Sequence, residues 1–124
     1  LAPPELAGAR WTMTPDGLRV ELTASVPDAR TTHVLTWIAS TDPRGAALAT
    51  VGSRRDLPGF GVRLRTAGGA SLTPSVLTLE PEAATVTTLE DVGPGPHFVW
   101  LAAVDEDGVP SRLAGAFRLP PRPA

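Results

Sequence analysis

The residues of this chain whose types and spacing could do chemistry are the two histidines, Ser40 and several groups of carboxylates. His33 and His97 lie 64 positions apart, without the close spacing that brings two histidines of one element onto a single zinc ion. Ser40, His33 and Asp42 could form a hydrolytic triad on paper, but no G-x-S-x-G turn accompanies the serine. The sequence therefore predicts structural histidines and no catalytic or metal-binding residue.

The carboxylates occur in groups at predicted turns, namely Glu80 with Glu82, Glu90 with Asp91, and Asp105 with Glu106 and Asp107. General acid–base catalysis requires two carboxylates held across a cleft, roughly 5–10 Å apart, whereas turn residues are easily solvated. Asp105, Asp107 and Gly108 match part of a calcium loop, but the rest of the series is missing. No cofactor is predicted.

Charge, hydropathy and cysteine content exclude several classes of protein. The net charge is -2, with 11 basic and 13 acidic residues, and a nucleic-acid partner is not expected because phosphate binding calls for a basic surplus. Every apolar run is far shorter than the ~18 residues of a transmembrane helix. The chain has no cysteine, so disulfides and thiolate chemistry are excluded. A first residue that is leucine, and arginine as the only basic residue type, favour an exported bacterial protein in an extracytoplasmic location.

The elements that must position these side chains are predicted to be β-strands. Glycine and proline number 12 and 14, and no stretch of three helical turns shows a 3.6-residue apolar period. Short alternating segments separated by turn residues predict an all-β fold, a seven- or eight-stranded antiparallel β-sandwich. We expect a linker-like segment over 1–10, one sandwich domain over 11–119 and a proline-rich tail over 120–124. The predicted strands cover 11–13, 18–26, 32–38, 60–66, 72–79, 84–89, 97–104 and 112–119, with a short additional strand over 47–51.

One predicted strand, 97–104, is apolar on both faces. Leu35 and Trp37 of strand 32–38 are expected in the core; if alternate residues from His97 onward also face it, Phe98 and Trp100 point away. A large aromatic pair of this kind has to be covered. The cover is either the chain itself, through the segment with Trp11 or the long stretch 41–59, or a partner.

Three motifs, in this order along the chain, resemble those of bacterial fibronectin type III domains. Val34 to Asp42 is similar to the second-strand motif, with Trp37 followed by a small Ala-Ser-Thr-Asp corner. Thr87 to Gly95, and then Ala103 to Ser111, resemble the later Leu, Pro-Gly and Ala-Val-Asp pattern. The resemblance covers about residues 17–119 and implies a fibronectin type III-like or immunoglobulin-like sandwich whose third strand is 60–64. The chain departs from the family in having no tyrosine, since His97 or Phe98 stands where the sixth-strand tyrosine is usual, and in its long connection 41–59.

A sandwich of this kind without a catalytic constellation is expected to act through its surfaces. We predict a non-catalytic protein-interaction or structural module of an exported or cell-surface bacterial protein, with a protein partner or a neighbouring domain or subunit. The alternatives are a carbohydrate-binding accessory module that binds polysaccharide through an exposed, flat Trp100 or Trp11, and a subunit of a filament, envelope complex or virion. The candidate partner-binding residues are Phe98, Trp100, Trp11, Arg54 and Arg55.

Overall fold

In a computed structural model of the chain, the described residues form ten β-strands. The structure describes residues 1–15, 17–40, 42–50, 59–72, 74–78, 84–89, 96–121 and 123, and none of these residues is helical. The strands are β1 (Glu5–Thr14), β2 (Gly17–Ser25), β3 (His33–Ala39), β4 (Ala47–Thr50), β5 (Val62–Arg65), β6 (Ser71–Leu72), β7 (Ser75–Thr78), β8 (Ala84–Leu89), β9 (Phe98–Val104) and β10 (Ala114–Arg118). The all-β prediction is therefore confirmed.

The strands form three antiparallel sheets. The first sheet has the order β1-β2-β8, the middle sheet β10-β9-β3-β7 and the outer sheet β4-β5-β6. In the middle sheet, β3 and β9 pair over their whole length, from His33 opposite Val104 to Ala39 opposite Phe98. This pair is the centre of the molecule.

Alternate residues of the middle sheet face two different hydrophobic cores. Side chains of a strand point to opposite faces with a period of two, and in β9 Val99 and Leu101 belong to one core while Trp100 and Ala102 belong to the other. The first core lies between the first and middle sheets and contains Val20, Leu22, Ala24, Val34, Val99, Leu101 and Leu119. The second core lies between the middle and outer sheets and contains Leu35, Trp37, Val62, Leu64, Trp100, Ala102 and Val104.

Burial on both faces explains the continuous apolar run of β9. A strand covered on one side alternates apolar and polar residues, as β2 does, whereas a strand covered on both sides needs apolar residues throughout. The outer sheet supplies the second cover and is also joined by a hydrogen bond, since Trp37 Nε1 donates to the carbonyl oxygen of Leu72 at 3.0 Å. The prediction that Leu35 and Trp37 are core residues is confirmed.

Three predicted boundaries are corrected. The segment 1–10 is not linker-like along its length, because β1 begins at Glu5 and pairs with β2 from Glu5 opposite Ser25 onward. The strand predicted over 72–79 is two strands in different sheets, separated at Pro74, which lacks the N–H group needed to continue a ladder. The strand predicted from Phe60 begins at Val62, since Gly59 and Gly61 adopt positive φ.

The outer sheet also changes the place of the segment expected to be the third strand of a fibronectin-like domain. β5 pairs with β4 and β6 rather than with β3. The neighbour of β3 on that side is β7, with His33 opposite Thr78. No helix among the described residues has the length and apolar content to span a membrane.

Candidate functional site

The structure does not bring the two histidines together. His33 lies at the end of β3 opposite Val104, and His97 immediately precedes β9, whose first residue is opposite Ala39. Six strand positions separate these two ends, or ~20 Å at about 3.3 Å per residue. Ser40 follows the last residue of β3, at the opposite end of the strand from His33. The hydrolytic triad of Ser40, His33 and Asp42 is therefore not assembled. Within the described ranges, no three histidine or carboxylate side chains form a group that could hold a metal ion.

His97 has a packing role. Its side chain is buried, and its ring meets the Trp11 ring edge-on with the centroids 6.0 Å apart. Its carbonyl oxygen accepts a hydrogen bond of 2.9 Å from the N–H of Leu119. This histidine therefore joins β1, β9 and the segment after β10.

Trp11 is occupied by contacts within the chain. Its half-buried ring packs on the first core, and Nε1 donates a 2.8 Å hydrogen bond to the carbonyl oxygen of Pro120. A flat, free indole face is what stacking on a sugar ring requires, and this ring has one edge tied to the C-terminal segment and meets His97. Trp11 therefore joins β1 to the segment that follows β10.

Trp100, one of the candidate partner-binding residues, is not exposed in the structure. Trp100 is 1% exposed and lies in the second core, because the outer sheet covers this face of β9. Phe98 is half-buried at the margin of the same core, with its ring centroid 6.4 Å from that of Trp100. The chain itself therefore covers this face of β9, with the outer sheet that lies between β3 and β7 in the sequence. The segment with Trp11 does not provide the cover, because Trp11 packs on the first core.

The remaining candidates divide into residues outside the described part and residues that shape a turn. Arg54 and Arg55 lie outside the described residues, as do the carboxylates of the groups at 80–82 and 90–91. In the β9–β10 turn, Asp105 Oδ1 accepts hydrogen bonds from the N–H groups of Asp107 and Val109, at 2.9 and 3.0 Å. These bonds assign Asp105 to turn formation.

The N-terminal segment is fastened at one end of the sheet stack. The N–H of Ala2 donates to Asp28 Oδ2 at 3.2 Å, and Arg30 forms a bidentate pair with the same carboxylate, with Nη2 at 2.7 Å from Oδ2. The N–H of Thr32 donates to the carbonyl oxygen of Val104 at 2.8 Å. The chain therefore enters the fold at the end where β3 begins and β9 ends.

The C-terminal segment leaves at the other end. β10 finishes with Arg118 opposite Phe98, and Leu119 and Pro120 then bond to His97 and Trp11 as described above. Phe98 is the first residue of β9 and Val104 the last, so entry and exit are separated by the length of β9. The two termini of the described fold lie at opposite ends of the stack.

Asp28 makes the fastening of the N-terminal segment depend on pH. The hydrogen bonds from Arg30, with that from Ala2, hold the pKa of Asp28 well below its ordinary value of 3.8. A carboxyl whose pKa is lower in the folded state stabilises the fold above the unfolded-state pKa, and this contribution is lost as the pH falls toward the folded-state pKa. Stability is therefore expected to decline below about pH 4. Denaturant unfolding at several pH values between 6 and 2 measures this decline in the free energy of unfolding.

The matched comparison uses Asp28→Asn and Glu106→Gln. The asparagine variant is expected to show a shallower loss of stability between pH 4 and pH 2 than the parent. Glu106 is exposed and forms no ion pair within the described part of the chain, so its variant is expected to keep the parent's slope. Equal slopes for the parent and Asp28→Asn would contradict the assignment of this carboxylate.

A charged surface that was not among the predicted candidate residues lies on the outer sheet. Arg63 and Arg65 alternate in β5 with the buried Val62 and Leu64. In the ladders, Ala49 lies opposite Arg63, while Ala47 and Ser71 lie opposite Arg65. We call the surface formed by Ala47, Ala49, Arg63, Arg65 and Ser71 the arginine face. The signal in the sequence was the Val-Arg-Leu-Arg alternation, which gives the face but not its neighbours.

The arginine face differs electrostatically from the first sheet. There Glu21 accepts both Arg10 at 2.7 Å and Arg19 at 3.1 Å, and the hydrogen bond from Arg10 is the main cause that lowers the pKa of Glu21. Arg63 and Arg65 form no ion pair in the described part of the chain, and Arg63 donates only to the adjacent carbonyl oxygen of Val62 at 3.0 Å. Among the described residues, the arginine face thus carries positive charge that no carboxylate pairs with.

The comparisons with known proteins give no match. No protein-family model matches the chain, and neither the curated proteins nor the solved structures contain a match to it.

Proposed function

We propose that this chain is a non-catalytic interaction or structural module with a fibronectin type III-like or immunoglobulin-like body, part of an exported or cell-surface bacterial protein or assembly. The observation that carries the proposal is the placement of the two fastened termini at opposite ends of the sheet stack. A module with this arrangement can be joined to a neighbour at each end without either junction crossing its faces. Its faces then stay available for partners.

The sheet arrangement supports the proposed body. Without the outer sheet, a three-stranded and a four-stranded antiparallel sheet enclose the first core, and seven strands in two facing sheets is the arrangement of immunoglobulin-like sandwiches. The three motifs that resemble fibronectin type III domains fall in or beside β3, β8 and β9. The outer sheet is then an insertion between β3 and β7.

The alternatives have less support among the described residues. A carbohydrate-binding module was expected to present Trp100 or Trp11 as a flat exposed platform, and these rings are respectively buried and bound to Pro120. A subunit of a filament, envelope complex or virion would need a strand edge that pairs with another copy. β1 and β10 are the edge strands on one side of the stack, and each carries a register shift, between Leu6 and Gly8 and between Ala114 and Phe117. Bulges of this kind discourage pairing with another copy at these two strands.

The test is the mass of the isolated chain by light scattering across a dilution series. A module that acts through other proteins is expected to remain a monomer of about 12.9 kDa at all concentrations. A tandem fusion of two copies is expected to have the same unfolding midpoint as one copy and a longer maximum dimension in small-angle scattering. Stable oligomers of the single chain would overturn the proposal in favour of a self-assembling subunit.

A further inference from the structure

The arginine face has the geometry of a recognition surface for paired carboxylates. Arg63 and Arg65 are two positions apart on one strand, so their Cα atoms are about 6.6 Å apart and their side chains leave the sheet in the same direction. The residues opposite them in the ladders are alanine and serine. The ladders therefore place no large side chain directly opposite either arginine, and Arg65 is exposed while Arg63 is half-buried.

The described strands of the outer sheet supply no anion to this face. The outer-sheet strands β4, β5 and β6 contain no aspartate or glutamate. Guanidinium groups bind carboxylates with paired hydrogen bonds that are stronger than those between neutral groups. Two guanidinium groups at strand spacing therefore match two carboxylates that repeat with the same spacing.

An extended polypeptide has that repeat and can also use the sheet edge. Side chains at alternate positions of a β-strand are about 6.6 Å apart on one face. Among the described strands, β4 has β5 as its single neighbour, so within the described fold the backbone groups on its other side are available to an added strand. A strand added there would place two residues beside Ala47 and Ala49, and the short alanine side chains would let carboxylates reach across to Arg65 and Arg63.

We propose that the arginine face, together with the free edge of β4, docks an extended acidic segment of a partner protein with carboxylates at alternate positions. This inference rests on the proposed function, because it names the partner chemistry of the interaction module. Nucleic acid is the less suitable polyanion, since the arginine face presents no aromatic side chain for base stacking and the whole chain is acidic, with a net charge of -2.

The test measures binding of a labelled synthetic peptide in which glutamate alternates with threonine, by fluorescence anisotropy against the full chain. The double variant Arg63→Glu with Arg65→Glu is expected to weaken binding by about tenfold or more. The matched control is Arg112→Glu with Arg118→Glu, which makes the same change in net charge at exposed arginines outside the outer sheet. It is expected to change binding less than about twofold, a limit set by long-range charge alone. If the double glutamate variant lowers the thermal unfolding midpoint of the protein, the double variant Arg63→Gln with Arg65→Gln replaces it in the binding measurement.

Two further measurements separate this inference from general attraction of polyanions. Amide NMR shifts on peptide addition are expected at Ala47–Thr50, on the edge strand, and a peptide with glutamine in place of glutamate is expected not to bind. Equal loss of binding in both double variants, equal binding of single-stranded oligothymidylate, or no binding by a monomeric chain would overturn the proposed docking. Failure of the proposed function would show differently, as oligomers in light scattering without any peptide.

Discussion

Replacing Trp100 with alanine is expected to lower the free energy of unfolding by about 3–5 kcal/mol, the range measured for deletion of large buried aromatic side chains. Trp100 is the largest of the fully buried side chains, and it lies between the middle sheet and the outer sheet. Its removal leaves a cavity between the two sheets. Trp37 and Leu64 already pack in the same core and hold the sheets apart, so the cavity does not close fully. Chemical denaturation followed by circular dichroism measures the change.

The comparison variant for Trp100→Ala is Met13→Ala, because Met13 is an apolar residue that is 74% exposed. Its substitution is expected to change the free energy of unfolding by less than about 0.5 kcal/mol. A loss below about 1 kcal/mol for Trp100→Ala would contradict the burial of this ring and would restore it as a surface residue.

Replacing Gly115 with alanine is expected to destabilise the fold by at least about 2 kcal/mol, from positive-φ strain and overpacking together. Gly115 has φ of +118°, a value that residues with a side chain rarely adopt. A Cβ atom here would lie 2.7 Å from the carbonyl oxygen of Val99 and 3.1 Å from Trp100 Cδ1. The bulge of β10 would have to move away from β9, and thermal and denaturant unfolding would both report it.

Gly8 is the natural control for Gly115, since it also lies at the register shift of an edge strand. A Cβ atom on Gly8 meets no atom within 4 Å, and its φ is not positive. Gly8→Ala is expected to be neutral or to stabilise by up to about 1 kcal/mol through the unfolded chain. Similar losses for the two variants would show that the contact with Val99 does not decide the effect.

Local pattern in the sequence was sufficient to predict strands but not their assignment to sheets. β8 was predicted with its exact bounds, Ala84–Leu89, and β2 within one residue, because alternation and turn residues are properties of short segments. The same alternation identified 60–66 as a strand. It could not tell that β5 joins a separate outer sheet, since a pattern of period two specifies a buried face and not the neighbour that buries it.

The candidate partner-binding residues also depend on contacts that a local sequence pattern does not specify. The two apolar faces of β9 correctly implied that Trp100 must be covered, yet the cover could have been a partner, Trp11 or the connection after β3. Trp11 was named for its type, but its hydrogen bond to Pro120 joins positions 109 residues apart, which no local pattern encodes. The sequence shows Arg63 and Arg65 only as alternate residues of one predicted strand, because their neighbours in the ladders depend on how β4 and β6 pair with β5.

The pairing of β3 with β9 has a consequence for folding during synthesis of the chain. His33 lies opposite Val104 and Ala39 opposite Phe98, so β3 leaves the ribosome well before its partner on that side has been synthesised. Until then the two apolar faces of β3 have no complete cover, and such exposed strands aggregate readily. Contacts between distant positions also slow folding, because a long loop must close before they form. The nascent chain is therefore expected to need protection at β3 until β9 has been synthesised.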